Sequence, residues 1–160
     1  MKKIDIRPAT VADVPLILEF ICALAEYEKL LDKVSATEAK LRATLFSERP
    51  AAEALLAFNG VEPVGFAIFF QNYSTFLAQS GVYLEDLFVK PSARGRGAGL
   101  ALIKAVAKIA HARGGARLDW SVLDWNAPAI EFYQRIGAQP LADWTMQRLT
   151  GAAFEKMAES

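Results

Sequence analysis

The chain has one cysteine and one histidine in 160 residues, and its 18 basic and 18 acidic side chains cancel. A single cysteine excludes an intrachain disulfide, and the place of Cys22 on the apolar stripe of a predicted helix reads as a buried structural thiol. His111 has no cysteine or carboxylate at metal-ligand spacing, so no metal site is expected. Without a second histidine, a serine or cysteine hydrolase triad would have to recruit His111 from the wrong element, and a surface or structural role is expected for it. Zero net charge leaves no electrostatic footprint for nucleic acid or an anionic membrane. The longest apolar runs, such as Val64 to Phe70, are far shorter than a membrane span. The start, Met1-Lys2-Lys3-Ile4-Asp5-Ile6-Arg7, turns polar again at once and lacks the apolar stretch of a signal peptide, so a cytoplasmic protein is expected. The length suits one compact domain over 1–160, with a core over about 4–150. A small-molecule partner fits this balance best.

What is present is a strand, an arginine-flanked glycine turn and a helix, written from Tyr83 to Leu100. The first N–H groups of a helix lack intrahelical partners and carry the positive end of its dipole, so they attract phosphate. Gly95, Gly97 and Gly99 let the chain approach an anion closely, while Arg94 and Arg96 add forked charges. A kinase-type P-loop would need Gly-Lys-Ser/Thr where Gly99-Leu100-Ala101 stands. A dinucleotide fingerprint would need glycine at Leu100, although Asp119 lies about the right distance onward for a ribose contact.

The predicted elements follow from period and punctuation. Lys3 to Arg7 alternates as an edge strand, and Thr10-Val11-Ala12-Asp13 has the form of a capping box opening a helix to about Tyr27, with Val14, Ile17, Ile21 and Leu24 on one face. A second helix is expected from Thr37 to Phe46. Strands are expected over Ala54 to Phe58 and Val64 to Gln71, around a turn containing Asn59-Gly60. The strand Gly81 to Val89 leads into the glycine turn, followed by a helix from Leu100 to Arg113 and a strand from Arg117 to Leu123. Asn126 and Pro128 open a short helix that Gly137 closes, and a last strand, Trp144 to Leu149, precedes a polar-ended tail. This order predicts a mixed α/β (α+β) domain with helices on both faces of the sheet.

The run Arg94 to Gly99, Arg-x-x-Gly-x-Gly after Leu87-Phe88-Val89, resembles the acetyl-coenzyme A signature of the GNAT family of N-acetyltransferases. Val122 to Ala138, with Asn126-Ala127-Pro128 and Phe132-Tyr133, is similar to that family's second motif. Ile6-Arg7-Pro8-Ala9-Thr10, Leu24-Ala25-Glu26-Tyr27-Glu28 and Tyr83 to Val89 narrow the resemblance to the spermidine/spermine (diamine) and thialysine branch. The resemblance implies a GNAT fold with a mostly antiparallel central sheet and a splayed parallel strand pair, in whose gap the pantetheine arm of acetyl-CoA lies. It implies cofactor contacts from Leu87, Phe88, Val89, Arg94, Gly95, Arg96, Gly97, Ala98, Gly99, Leu100, Asn126 and Ala129. It also implies a homodimer.

Acetyl transfer to an amine needs a neutral amine, a polarised carbonyl and a proton for the departing thiolate. Glu85 is the candidate proton acceptor, acting through water. Neighbours in a strand face opposite sides, so only one of Glu85 and Asp86 can enter a cleft, and the resemblance selects Glu85. The resemblance makes Tyr133 the acid that protonates coenzyme A. It places Tyr27, Glu28, Glu85 and the segment Asp119-Trp120-Ser121 against a cationic substrate, a diamine, polyamine or lysine-like amino acid such as thialysine or ornithine. The loop Gln139 to Trp144 is shorter than in the diamine enzymes and lacks their glutamate pair, while Asn72-Tyr73-Ser74-Thr75-Phe76 and Val122-Leu123-Asp124-Trp125-Asn126 lean toward the thialysine-like relatives. The alternatives are a non-catalytic acyl-CoA-binding module and an acetyltransferase acting on a protein amine.

Overall fold

Five strands lie side by side in sequence order among residues 4–159, which the computed structural model describes. They are β1 (Ile4–Pro8), β2 (Glu53–Asn59), β3 (Glu62–Ser74), β4 (Gln79–Val89) and β5 (Leu118–Trp120). The first three pairings are antiparallel and β4 with β5 is parallel. A parallel return needs a crossover, and the helix α3 (Ala98–Ala112) supplies it. The other helices are α1 (Val14–Tyr27), α2 (Glu38–Leu45), α4 (Ala127–Arg135) and α5 (Gly151–Glu159). The chain forms two compact units, Met1–Ser121 and Val122–Ser160.

In the first unit the sheet is covered on both faces. Ala54 and Leu56 of β2, Phe66 and Ile68 of β3 and Phe88 of β4 pack with Val14, Ile17 and Phe20 of α1 and Leu41 of α2. Phe20 stacks on Phe66 with centroids 5.4 Å apart. The alternate positions Leu55, Ala57 and Ala67 are equally buried, and α3 lies against β1 to β4 through Leu102, Ile103 and Val106. Each fully buried phenylalanine or large aliphatic side chain contributes about 1.5–3 kcal/mol by leaving water, and this two-sided burial makes β2 and β3 nearly continuous apolar runs.

The capping box at the start of the helical segment is formed. The Asp13 carboxylate accepts from the Thr10 backbone N–H at 2.7 Å and from both terminal nitrogens of Arg7 at 2.8 Å. Those bonds hold the Asp13 carboxyl below the usual carboxylate range, chiefly through Arg7. Thr37 caps α2 through Lys40 N–H. The expected strand residue Lys3 lies outside the described residues.

Several expectations are corrected. No strand forms over 144–149, where Trp144, Met146 and Leu149 are exposed and the described residues of the second unit hold no strand, and a lone strand is not stable in water. The expected tail is instead α5, built on helix formers after Gly151. The strand after α3 is limited to Leu118–Trp120 because its partner register spans only Val82 to Leu84. Cys22 is half-buried rather than buried. His111 is exposed in the last turn of α3, as expected for a surface role. No helix among the described residues is long and apolar enough to cross a membrane.

Candidate active site

The parallel pair diverges where the chemistry is expected. β5 accompanies β4 over Val82, Tyr83 and Leu84 only, so from Glu85 to Val89 the edge of β4 on that side has no strand against it among the described residues. On its other side Leu87, Phe88 and Val89 face Ala67, Phe66 and Gly65 of β3. A bond between the Tyr83 hydroxyl and Ser121 Oγ, 2.7 Å long, ties the strands at the point of divergence.

Beyond Val89 the chain makes a short 3-10 turn, Pro91–Ala93, and enters α3 through Arg94 to Gly97. Gly95 and Gly97 have φ of +71° and +86°, a left-handed region that costs other residues about 1–2 kcal/mol. A Cβ built on either would meet nothing within 4 Å, so the space before the first amides of α3 is open. Left-handed glycines, the N-terminus of α3 and exposed Arg94 and Arg96 therefore stand together, the donor types and charge that attract an anion. Arg94 has a second set of contacts: its Nε donates to the Val89 carbonyl at 3.0 Å and its Cζ lies 4.5 Å over the Tyr27 ring.

Tyr27, Phe88, Pro91, Ala23 and Glu26 line a cleft of about 260 Å³. Three carboxylates interact around Asp86. Glu85 is exposed and Asp86 and Glu28 are half-buried. Burial, then the charges of Glu85 and Glu28, push the Asp86 carboxyl up to about 6, and burial also raises Glu28. Asp86 is the member of the Glu85/Asp86 pair that the resemblance did not select. Ile68 faces Asp86 while its neighbour Phe69 faces Leu84, so Glu85 is the extra residue of a β-bulge and the opposite-faces rule does not hold across it. The only sequence cue was the adjacency of two acids in an otherwise apolar strand.

The segment after α3 has partners of its own. Asp119 accepts from Arg117 Nε at 2.8 Å and from Asn72 Nδ2 at 3.0 Å, Trp120 is half-buried, and Ser121 is held by Tyr83. In the second unit Asn126 is buried and caps α4, its Oδ1 accepting from Ala129 N–H at 3.4 Å. Tyr133 is half-buried on α4 with its ring 5.4 Å from that of Phe132.

The family model for the acetyltransferase (GNAT) family matches residues 22–138. The chain belongs to that family. It is 39% identical over 169 residues to a thialysine N-epsilon-acetyltransferase of Bos taurus, covering 99% of each chain. It is 35% identical to the L-ornithine N5-acetyltransferase NATA1 of Arabidopsis thaliana, covering 94% of this chain and 86% of that one. An integron cassette protein from the V. cholerae mobile metagenome superimposes with a TM-score of 0.81 at 31% identity, covering 100% of this chain and 99% of that one. This GNAT protein is an N-acetyltransferase of the diamine and thialysine branch. GNAT acetyltransferases use acetyl-CoA.

The raised Asp86 has a sign that can be tested. A carboxyl whose folded value lies above its unfolded value, near ~3.9, costs stability once it must ionise in the fold. Asp86→Asn is therefore expected to melt higher than the wild type at pH 7.5, with the difference vanishing near pH 4, in paired thermal scans. A variant that is less stable at both pH values would contradict the placement.

Proposed function

We propose that this enzyme transfers the acetyl group of acetyl-CoA to a primary amine of a small cationic substrate, by direct attack in a ternary complex. The observation that carries this reading is the cluster of Glu28, Glu85 and Asp86 near an aromatic-walled cleft, beside the uncovered edge of β4. Carboxylates and aromatic faces together favour an ammonium ion over a neutral amine or an anion. Lysine-like amino acids, thialysine or ornithine, are favoured over polyamines, because Gln139 to Trp144 lacks the second acidic cluster of the diamine enzymes and the relatives above are named for those two substrates.

In this reading the amides of Gly95 to Leu100, with Arg94 and Arg96, hold the pyrophosphate. The backbone of Leu87, Phe88 and Val89 pairs with the pantetheine arm as a neighbouring strand would, and Asn126 and Ala129 contact the same arm. Tyr27, Glu28 and Asp86 receive the ammonium group, with Asp119, Trp120 and Ser121 along the substrate path. At pH 7 an amine of pKa ~10 is neutral in about one molecule in a thousand, a cost on the order of 4 kcal/mol. Glu85, exposed at the bulge, takes the proton through water. The amine nitrogen forms a bond to the acetyl carbon, the carbon–sulfur bond breaks, and Tyr133 gives its proton to the sulfur. A homodimer also belongs to this reading; the exposed Leu141, Trp144, Met146, Phe154 and Met157 of the second unit are apolar surface of the kind a second copy would cover.

The test is thiol release from acetyl-CoA with thialysine, ornithine, lysine, putrescine, spermidine and spermine, and mass spectrometry of each product. Acetylation of thialysine or ornithine ahead of the polyamines is expected. Silence across the panel with coenzyme A still bound would favour a protein amine or a non-catalytic module.

A further inference from the structure

Arg94 opens the phosphate turn, yet its side chain points back toward the cleft proposed for the amine. Nε donates to the Val89 carbonyl at 3.0 Å, which fixes the plane of the guanidinium, and Cζ stands 4.5 Å above the ring of Tyr27 and 5.9 Å from that of Phe88. Both rings line the cleft. Tyr27 is the last residue of α1, whose end is closed by the N–H groups of Glu28, Lys29 and Leu30 donating to the carbonyls of Leu24, Glu26 and Ala25, with Lys29 at φ +61°, and its ring is half-buried. Phe88, by contrast, is buried in a strand against Phe20. The less buried wall of the cleft is therefore Tyr27, and the guanidinium lies on its face.

We propose that Arg94 is a positioning residue for the amine, holding the Tyr27 ring in place and so linking the phosphate turn to the amine cleft; the inference rests on the acetyltransferase function proposed above. Simple electrostatics gives the opposite expectation. A guanidinium near an ammonium site repels the substrate, so its removal should tighten amine binding, whereas loss of a ring support should loosen it. The sign of the effect separates the two. By linkage, whatever orders Arg94 at the turn also changes amine affinity, and the amine changes affinity at the turn by the same factor.

The experiment measures the amine KM for wild type, Arg94→Gln, Arg94→Lys, Tyr27→Leu and the double variant Arg94→Gln/Tyr27→Leu. Each is assayed with saturating acetyl-CoA and with S-acetylpantetheine, a donor that lacks the pyrophosphate. Arg94→Gln is expected to raise the amine KM roughly three- to tenfold with both donors, the size of a partly exposed cation–ring contact, and to lower kcat by less. Arg94→Lys should recover part of the loss, and the double variant should be no worse than Tyr27→Leu alone. An unchanged or lowered amine KM in Arg94→Gln, or additive losses in the double variant, would overturn the inference while leaving the wild-type activity intact. A wild type that acetylates no amine in the panel would overturn the proposed function, and the inference with it.

Discussion

Tyr133→Phe is expected to lower kcat by about a hundredfold near pH 7 while leaving the Kd for coenzyme A within about twofold. The substitution keeps the ring that lies 5.4 Å from Phe132 and removes only a hydroxyl, so α4 should fold unchanged. A proton needed by the departing sulfur is needed in the transition state, and ground-state binding is spared. The size of the loss follows from the leaving group: a thiol of pKa near ~8.5 departs tolerably as thiolate, which puts the defect at the low end of general-acid contributions. It should shrink further as the pH is raised past that value, where the thiolate needs no proton. Profiles of kcat against pH for both proteins check this, and parallel profiles with equal rates would remove Tyr133 from the mechanism.

Gly97→Val is expected to raise the Kd for coenzyme A by tenfold or more, and Gly114→Val should not. The two glycines flank α3, at φ +86° and +74°, and a Cβ added at either would meet no atom within 4 Å. A β-branched residue is equally strained at both, so both variants should lose about 1–2 kcal/mol of stability. Only Gly97 stands before the open amides at the helix N-terminus, where a branched side chain would fill the space proposed for the pyrophosphate. Calorimetric titration with coenzyme A, alongside denaturation of each variant, separates strain from obstruction. Similar affinities in the two variants would place the phosphates elsewhere.

The glycine turn was legible because its chemistry is local: a strand end, two glycines at positive φ and a helix start are contiguous in sequence, and the motif names them in order. The Asn126 cap and the helix it opens were legible for the same reason. Asp86 was not. Its environment depends on a one-residue register shift against Ile68 and Phe69, and a bulge is decided by the partner strand rather than by the bulged one. Asp119 was legible as an acid near the site, but its partners Arg117 and Asn72 come from the two sides of β4 and meet only in the sheet. The segment 144–149 shows the reverse case, a strand expectation over residues that take no strand.

The sequence by itself determined the family, the order of most elements and the glycine turn, because each rests on neighbours along the chain: turn glycines, caps and apolar periods of 2 and 3.6. Only the tertiary structure decided where β4 and β5 part, which carboxyl is buried enough to titrate near 6, and that Arg94 lies on Tyr27. Those depend on register, burial and long-range contact, which join residues such as Tyr27 and Arg94 that the chain keeps far apart.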